Sequence, residues 1–155
     1  MEDKRKIGRY QRIYTQLEEL LKKSSDPLAR MATICAVLHH KMDYFFWTGF
    51  YILKGEDLIV GPYQGPVACQ VLERDKGVCW ASVNRNEPVV VPDVHQFSGH
   101  IACDSRSQSE IVLPVYNSSG ELVAVFDVDA SQKDQFNSVD AKYLADILML
   151  IYKGV

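Results

Sequence analysis

Between Glu110 and Asp129, two apolar runs flank the four residues Asn117-Ser118-Ser119-Gly120. Asn, Ser and Gly suit a tight turn, so the segment predicts an antiparallel hairpin, Glu110 to Tyr116 against Glu121 to Asp129. Side chains of a strand alternate between two faces, which fixes where each residue of the hairpin points. Leu122, Ala124, Phe126 and Val128 fall on one face, and Val123, Val125, Asp127 and Asp129 on the other. Two carboxylates thus project from one side of an otherwise apolar strand. Buried together, they repel one another and lose solvation, which raises at least one pKa and leaves a neutral acid able to donate a proton. The competing reading has the strand end in solvent, with both aspartates as loop caps. Glu110 joins the same face if the hairpin pairs in register.

The rest of the chain supplies partners for such a sheet. Ile7, Tyr10, Tyr14, Leu17 and Leu21 recur at helical spacing and predict a first helix over about 5–22, ended by Ser24-Ser25. Asp26-Pro27 is a start signal for a second helix, with Leu28, Met31, Ala32, Cys35 and Leu38 on its buried face. Tyr44 to Leu53 reads as a strand, Lys54-Gly55-Glu56-Asp57 as a turn, and Leu58 to Val60 as the returning strand. From Gly61 to about Ile101 the Gly- and Pro-containing sequence predicts loops, broken by a brief helix near Gly77 and a short strand over Pro88 to Val91. Asn137 caps a last helix whose stripe is Val139, Tyr143, Leu144, Ile147, Leu148 and Ile151. This order predicts an α+β domain, an antiparallel sheet with helices packed on it. The 155 residues are enough for one substantial core, and no repeat or linker divides them.

A net charge of -3 leaves no electrostatic footprint for nucleic acid. No apolar run is long enough to span a bilayer, and the charged start Met1-Glu2-Asp3-Lys4-Arg5-Lys6 is unlike a secretory signal. The expected location is cytoplasmic, where the four cysteines are expected as thiols rather than structural disulfides. Cys35 reads as a buried small hydrophobe. Cys69, Cys79 and Cys103 crowd into the loop-rich middle and mark a thiol-redox site. His95, His100 and Cys103, with Asp93 and Asp104 beside them, offer metal donors, but the spacing fits no compact zinc pattern and a fourth ligand is not obvious. No metal or other cofactor is therefore expected, and a histidine near Cys103 would instead favour its thiolate. Trp47 and Tyr51 share a strand face with Gly49 between them, an open notch that either packs in the core or clasps a small group.

Several stretches together carry a resemblance: Gly61-Pro62-Tyr63-Gln64-Gly65-Pro66-Val67-Ala68-Cys69, Lys76-Gly77-Val78-Cys79, Val91-Pro92-Asp93-Val94-His95, Gly99-His100-Ile101-Ala102-Cys103-Asp104, Ser109-Glu110-Ile111-Val112-Leu113-Pro114 and Phe126-Asp127-Val128-Asp129. In this order they resemble the free methionine-R-sulfoxide reductases, single GAF domains acting on the free amino acid. The resemblance implies a GAF-like fold over 1–155, with the N-terminal helix ahead of a core from about 26. It implies Cys103 as the nucleophile toward the sulfoxide sulfur, Cys69 as the resolving thiol and Cys79 as a second thiol or relay. Glu110, Asp127 and Asp129 would supply the proton for the leaving oxygen and bind the substrate α-ammonium, while Trp47 and Tyr51 pack on its methyl and sulfoxide end. A thioredoxin-like reductant would reset the disulfide, and a homodimer is implied as well, for which the first helix has an apolar face. One departure stands out: Trp80 follows Cys79 where the family usually has small residues, and an indole there would narrow the pocket or restrict Cys79. The alternatives are a GAF module that senses a small ligand without turning it over, a metal protein built on His95, His100 and Cys103, and a peroxide-sensing thiol protein.

Overall fold

The computed structural model describes residues 1–100 and 103–155. Ile101 and Ala102, part of one motif above, lie outside the described residues. Helix α1 runs over Asp3–Leu20 and continues as a 3-10 turn, Leu21–Lys23. Helix α2 spans Pro27–Lys41, with the Asp26 carboxylate accepting from the main-chain N–H groups of Leu28 and Ala29 and Pro27 at the first position, as a helix start requires. Strands β1 (Trp47–Lys54) and β2 (Asp57–Gln64) form the first hairpin. After β3 (Val71–Leu72) come α3 (Gly77–Arg85) and β4 (Val89–Val91). Strands β5 (Ser109–Tyr116) and β6 (Leu122–Ala130) make the second hairpin, and α4 covers Ser138–Leu148.

The six strands form one antiparallel sheet in the order β3-β2-β1-β6-β5-β4. One face carries Phe50, Ile111, Leu113, Val115, Ala124, Phe126 and Val128, packed against the buried sides of α1, α2 and α4. The opposite face carries Trp47, Tyr51, Val112 and Val125 and meets α3 and its flanking loops. The α+β architecture is as predicted, and so are the faces of β6 from Ala124 onward; Val123, at the irregular pairing opposite Val115 and Tyr116, packs with the helix-side core instead.

Several boundaries differ from the sequence expectation. Strand β1 begins at Trp47 rather than Tyr44, because Tyr44 and Phe45 turn to pack on Phe136. Strand β2 continues through Gly61-Pro62 to Gln64. Two steps of β1, from Gly49 to Tyr51, face three steps of β2, from Tyr63 to Val60. That bulge accommodates a proline with no N–H to give the ladder. Leu28 and Ala32 do not join the buried face of α2; Leu28 is 61% exposed, and Ile34 lies inside with Met31, Cys35 and Leu38. The last helix ends at Leu148, although Ile151 is fully buried in the turns that follow.

Two buried ionic groups tie the helices together. Lys6 and Asp140 pair at 2.6 Å, and Asp140 also accepts from the hydroxyls of Tyr10 and Tyr44 and from the main-chain N–H of Asn137. Arg30 donates to the carbonyls of Leu150, Ile151 and Lys153, closing the end of the chain onto α2. No described helix is long and apolar enough to cross a membrane.

Candidate active site

Strand register assembles the centre of the site. Trp47 on β1 pairs with Asp129 on β6, which pairs with Glu110 on β5, so the three side chains stand in one row across the sheet. The next row is Gly49, Asp127 and Val112. All three carboxylates therefore meet on the α3 side of the sheet, and Glu110 and Asp127 are each only 6% exposed. Burial raises all three pKa values well above the ordinary carboxylate range. Mutual repulsion adds to it, from Asp129 on Glu110, from Glu110 on Asp127 and from Asp127 on Asp129. The competing picture, aspartates at a frayed strand end, does not hold.

Cys79 sits in the first turn of α3, 4% exposed, with its thiol facing this cluster. A helix N-terminus ordinarily favours a thiolate. Here burial and the carboxylates Asp127, Glu110 and Asp129 oppose it, and the thiol pKa rises well above its usual value. Trp80, one residue on, points away from the site. It is buried against Leu72, to whose carbonyl its Nε1–H donates at 3.4 Å, under the Arg74 guanidinium. Trp80 is not among the residues that line the pocket, so it does not narrow it directly as one of the two sequence expectations had it.

Cys69 and Cys103 are joined in a disulfide, with Cα atoms 5.6 Å apart. Cys103 is exposed and Cys69 half-buried, so the bridge is open to solvent while Cys103 also lines the pocket. Cys35 is buried and free, as expected of a core residue; its thiol donates to the Pro62 carbonyl at 3.4 Å. His100 lines the pocket with its Nε2 at 3.5 Å from Glu110 Oε1, and burial lowers its pKa. His95 is exposed, so the sequence-adjacent set of His95, His100 and Cys103 is not gathered into a metal centre. Among the described residues, the group of possible metal donors is instead Cys79, Glu110 and Asp127.

The aromatic pair behaves differently from the notch expected. Trp47 lies over Gly49: a Cβ there would come within 2.6 Å of the indole Cη2 and would also strike Tyr63 Cβ. The indole stacks between Tyr51, at 5.8 Å, and Tyr63, at 5.3 Å. Glycine at 49 therefore makes room for the ring rather than leaving an opening. The polar ends of the pair reach the loop before Cys69: Trp47 Nε1–H donates to the Pro66 carbonyl at 3.0 Å and the Tyr51 hydroxyl to the Cys69 carbonyl at 2.9 Å. Sequence reading missed these bonds, since nothing local links residues 18 or 19 positions apart.

The pocket so formed has a volume of about 40 Å³, room for a few ordered waters or a small ion, between the disulfide, the aromatic wall and the acids. It defines the chain as an α+β protein with an accessible disulfide over a buried acidic pocket. Comparison with known proteins places it further. The GAF domain model matches residues 24–151. GAF domain-containing protein A of Dictyostelium discoideum is 40% identical over 147 residues, 94% of this chain and 92% of that protein. Free methionine-R-sulfoxide reductase of Escherichia coli is 37% identical over 126 residues, 81% and 76% of the two chains. The X-ray structure of free methionine-R-sulfoxide reductase from Neisseria meningitidis in complex with its substrate superposes with a TM-score of 0.88 at 35% identity, covering 93% of this chain and 86% of the other. The chain belongs to the GAF domain family, among the free methionine-R-sulfoxide reductases.

Proposed function

We propose that this chain, acting as a single GAF unit, reduces free L-methionine-(R)-sulfoxide to methionine by thiol chemistry at Cys103. The observation that carries the reading is the Cys69–Cys103 disulfide set over a pocket walled by Glu110, Asp127 and Asp129. In the reduced protein the Cys103 thiolate attacks the sulfoxide sulfur. A protonated carboxyl of the cluster gives its proton to the sulfoxide oxygen, which transfers to Cys103 as methionine departs. The sulfur of the substrate is reduced and Cys103 is oxidised to a sulfenic acid. The Cys69 thiol condenses with it, forming the disulfide and one water. An external dithiol, thioredoxin-like in a cell, restores both thiols, and the exposure of Cys103 supports access for such a partner.

The buried acids also suit recognition of a free amino acid. An α-ammonium group provides the cation that a cluster of desolvated carboxylates lacks, through charge-assisted hydrogen bonds. Trp47 and Tyr51 offer an apolar wall for the methyl and sulfoxide end. Cys79 stands beside the acids as a second thiol for disulfide relay. A homodimer and a cytoplasmic location belong to the same reading.

The test is epimer-specific turnover. Purified protein with a dithiol should consume the R epimer of free methionine sulfoxide and spare the S epimer. Binding of the R epimer without consumption would make the chain a sensor module, and peroxide oxidation without sulfoxide turnover would make it a peroxide sensor.

A further inference from the structure

The acidic pocket also has the makings of a metal site. The Cys79 Sγ and one carboxylate oxygen each from Glu110 and Asp127 lie within 4.8 Å of one another. All three side chains are more than nine-tenths buried. Independently, Asp127 Oδ1 is buried with no hydrogen-bond partner among the described residues. Its only possible donors among them are the protons of the neighbouring Glu110 carboxyl and Cys79 thiol, and a cation that replaces those protons would satisfy the same desolvated oxygen. Lys76, the one ammonium on the described pocket wall, does not meet that need: it is more than half exposed and paired with Glu73 at 2.8 Å. His100 stands beside this group and offers a fourth donor, of a third type, with Nε2 at 3.5 Å from Glu110 Oε1.

We propose that Cys79, Glu110 and Asp127, with His100 as fourth donor, form a zinc site in the floor of the pocket, and that zinc bound there excludes the substrate's α-ammonium and inhibits reduction. The donor set decides the metal. A thiolate and an imidazole beside two carboxylates suit zinc, whereas calcium and magnesium take oxygen donors. Donors on a tetrahedral zinc ion stand roughly 3.3 to 3.8 Å apart, so the three donors, within 4.8 Å of one another, draw together on binding, and His100, outside that group, swings in from its place beside Glu110. The His100–Glu110 separation already lies in that range. A cavity of about 40 Å³ has room for the ion. Binding displaces the thiol proton and the carboxyl protons to bulk water, with no change in oxidation state. None of these donors is Cys69 or Cys103, so the site is complete while their disulfide is closed.

The experiment uses that independence. Oxidised protein, with Cys69 and Cys103 bridged, is titrated with zinc against a chromophoric chelator. One zinc per chain is expected, with affinity lowered about tenfold or more by Asp127→Asn and by Cys79→Ser and left within twofold by Cys35→Ser. Cobalt in place of zinc should show a thiolate-to-metal absorption band that Cys79→Ser removes. Glu110→Gln and His100→Gln serve as further variants should either of the first two fail to fold. No binding at micromolar zinc, or equal binding by Asp127→Asn and Cys79→Ser, would overturn the site. The inhibitory half rests on the proposed function and is read separately. Free L-methionine should weaken zinc binding in proportion to its concentration, after correction for its own chelation of zinc in protein-free solution. If zinc binds and methionine does not compete, the inhibitory half falls. If zinc binds and the reduced protein has no sulfoxide turnover, the proposed activity falls and the metal site stands.

Discussion

The hydroxyl of Tyr51, on β1, donates to the main-chain carbonyl of Cys69 across 2.9 Å. The ring behind that hydroxyl stacks on Trp47, whose own N–H holds Pro66 of the same loop at 3.0 Å. The aromatic wall of the pocket thus also anchors Cys69, one of the two cysteines of the disulfide. A residue placed by sequence as core or substrate wall acts here on the position of a thiol.

Tyr51→Phe separates the two duties. The ring and its stacking remain, and only the bond to the Cys69 carbonyl is lost, at a cost of about 1 kcal/mol of stability. Rapid-quench measurement should find the first methionine formed at nearly the wild-type rate, while closure of the Cys69–Cys103 bridge slows several-fold. Closure at the wild-type rate would show that the loop needs no such anchor.

The cysteines should separate in a reductant-free, single-turnover assay of pre-reduced protein. Cys103→Ser is expected to form no methionine while keeping the wild-type melting temperature to within a few degrees. Cys69→Ser is expected to form one methionine per chain and to leave a sulfenic acid that a dimedone-type reagent labels on Cys103. A full equivalent of methionine from Cys103→Ser would remove that residue from the role of nucleophile.

Gly49→Ala tests how the indole is held. The added methyl would come within 2.6 Å of the Trp47 ring and collide with Tyr63, so the ring must move. Overpacking of this kind costs about 1 to 3 kcal/mol. The expected result is a lower melting temperature, changed tryptophan fluorescence, and a rise in KM larger than the fall in kcat.

The hairpin of β5 and β6 was legible because a period of two admits one assignment of faces, and that alternation also brought Glu110 to Asp127 and Asp129. Other parts depend on contacts that sequence separation hides. Gly61-Pro62 reads as the end of a strand, yet a bulge carries β2 past it. Leu28 matches the spacing of α2 but sits in its first turn, beyond the edge of the core. The pairing of Cys69 with Cys103 came from the family resemblance, since spacing alone leaves the partners open. The apolar spacing of α4 says nothing of Asp140, a buried carboxylate in its first turn, whose partner Lys6 is 134 residues away.

That last pair yields a stability prediction. Lys6→Met removes the ammonium from Asp140 and leaves a fully buried carboxylate with only neutral donors, Tyr10, Tyr44 and the Asn137 N–H. Breaking a buried pair from one side costs about 3 kcal/mol or more. Urea denaturation should show this loss, and the double variant Lys6→Met/Asp140→Leu should recover part of it, because no charge is then stranded.

The acidic pocket predicts how stability and activity depend on pH. Glu110, Asp127 and Asp129 all have folded pKa values raised by burial and mutual repulsion. Above the ordinary carboxylate value of about 4 the unfolded chain releases these protons while the folded chain keeps them. The folded state then binds more protons, so stability falls as pH rises through that window, the reverse of a salt-bridged carboxylate. Asp127→Asn removes a charge that the fold disfavours, and its melting temperature should decline less between pH 5 and pH 8 than that of the wild type. The rate of methionine formation in a single turnover should fall on the alkaline side, as the cluster loses the proton the sulfoxide oxygen needs. Asp127→Asn should reduce that rate by a factor of ten or more even where it stabilises the fold. Parallel melting curves and single-turnover rates across this pH range check both halves. A variant that gained stability at pH 8 and kept full activity would show that the buried charge is not used in the reaction.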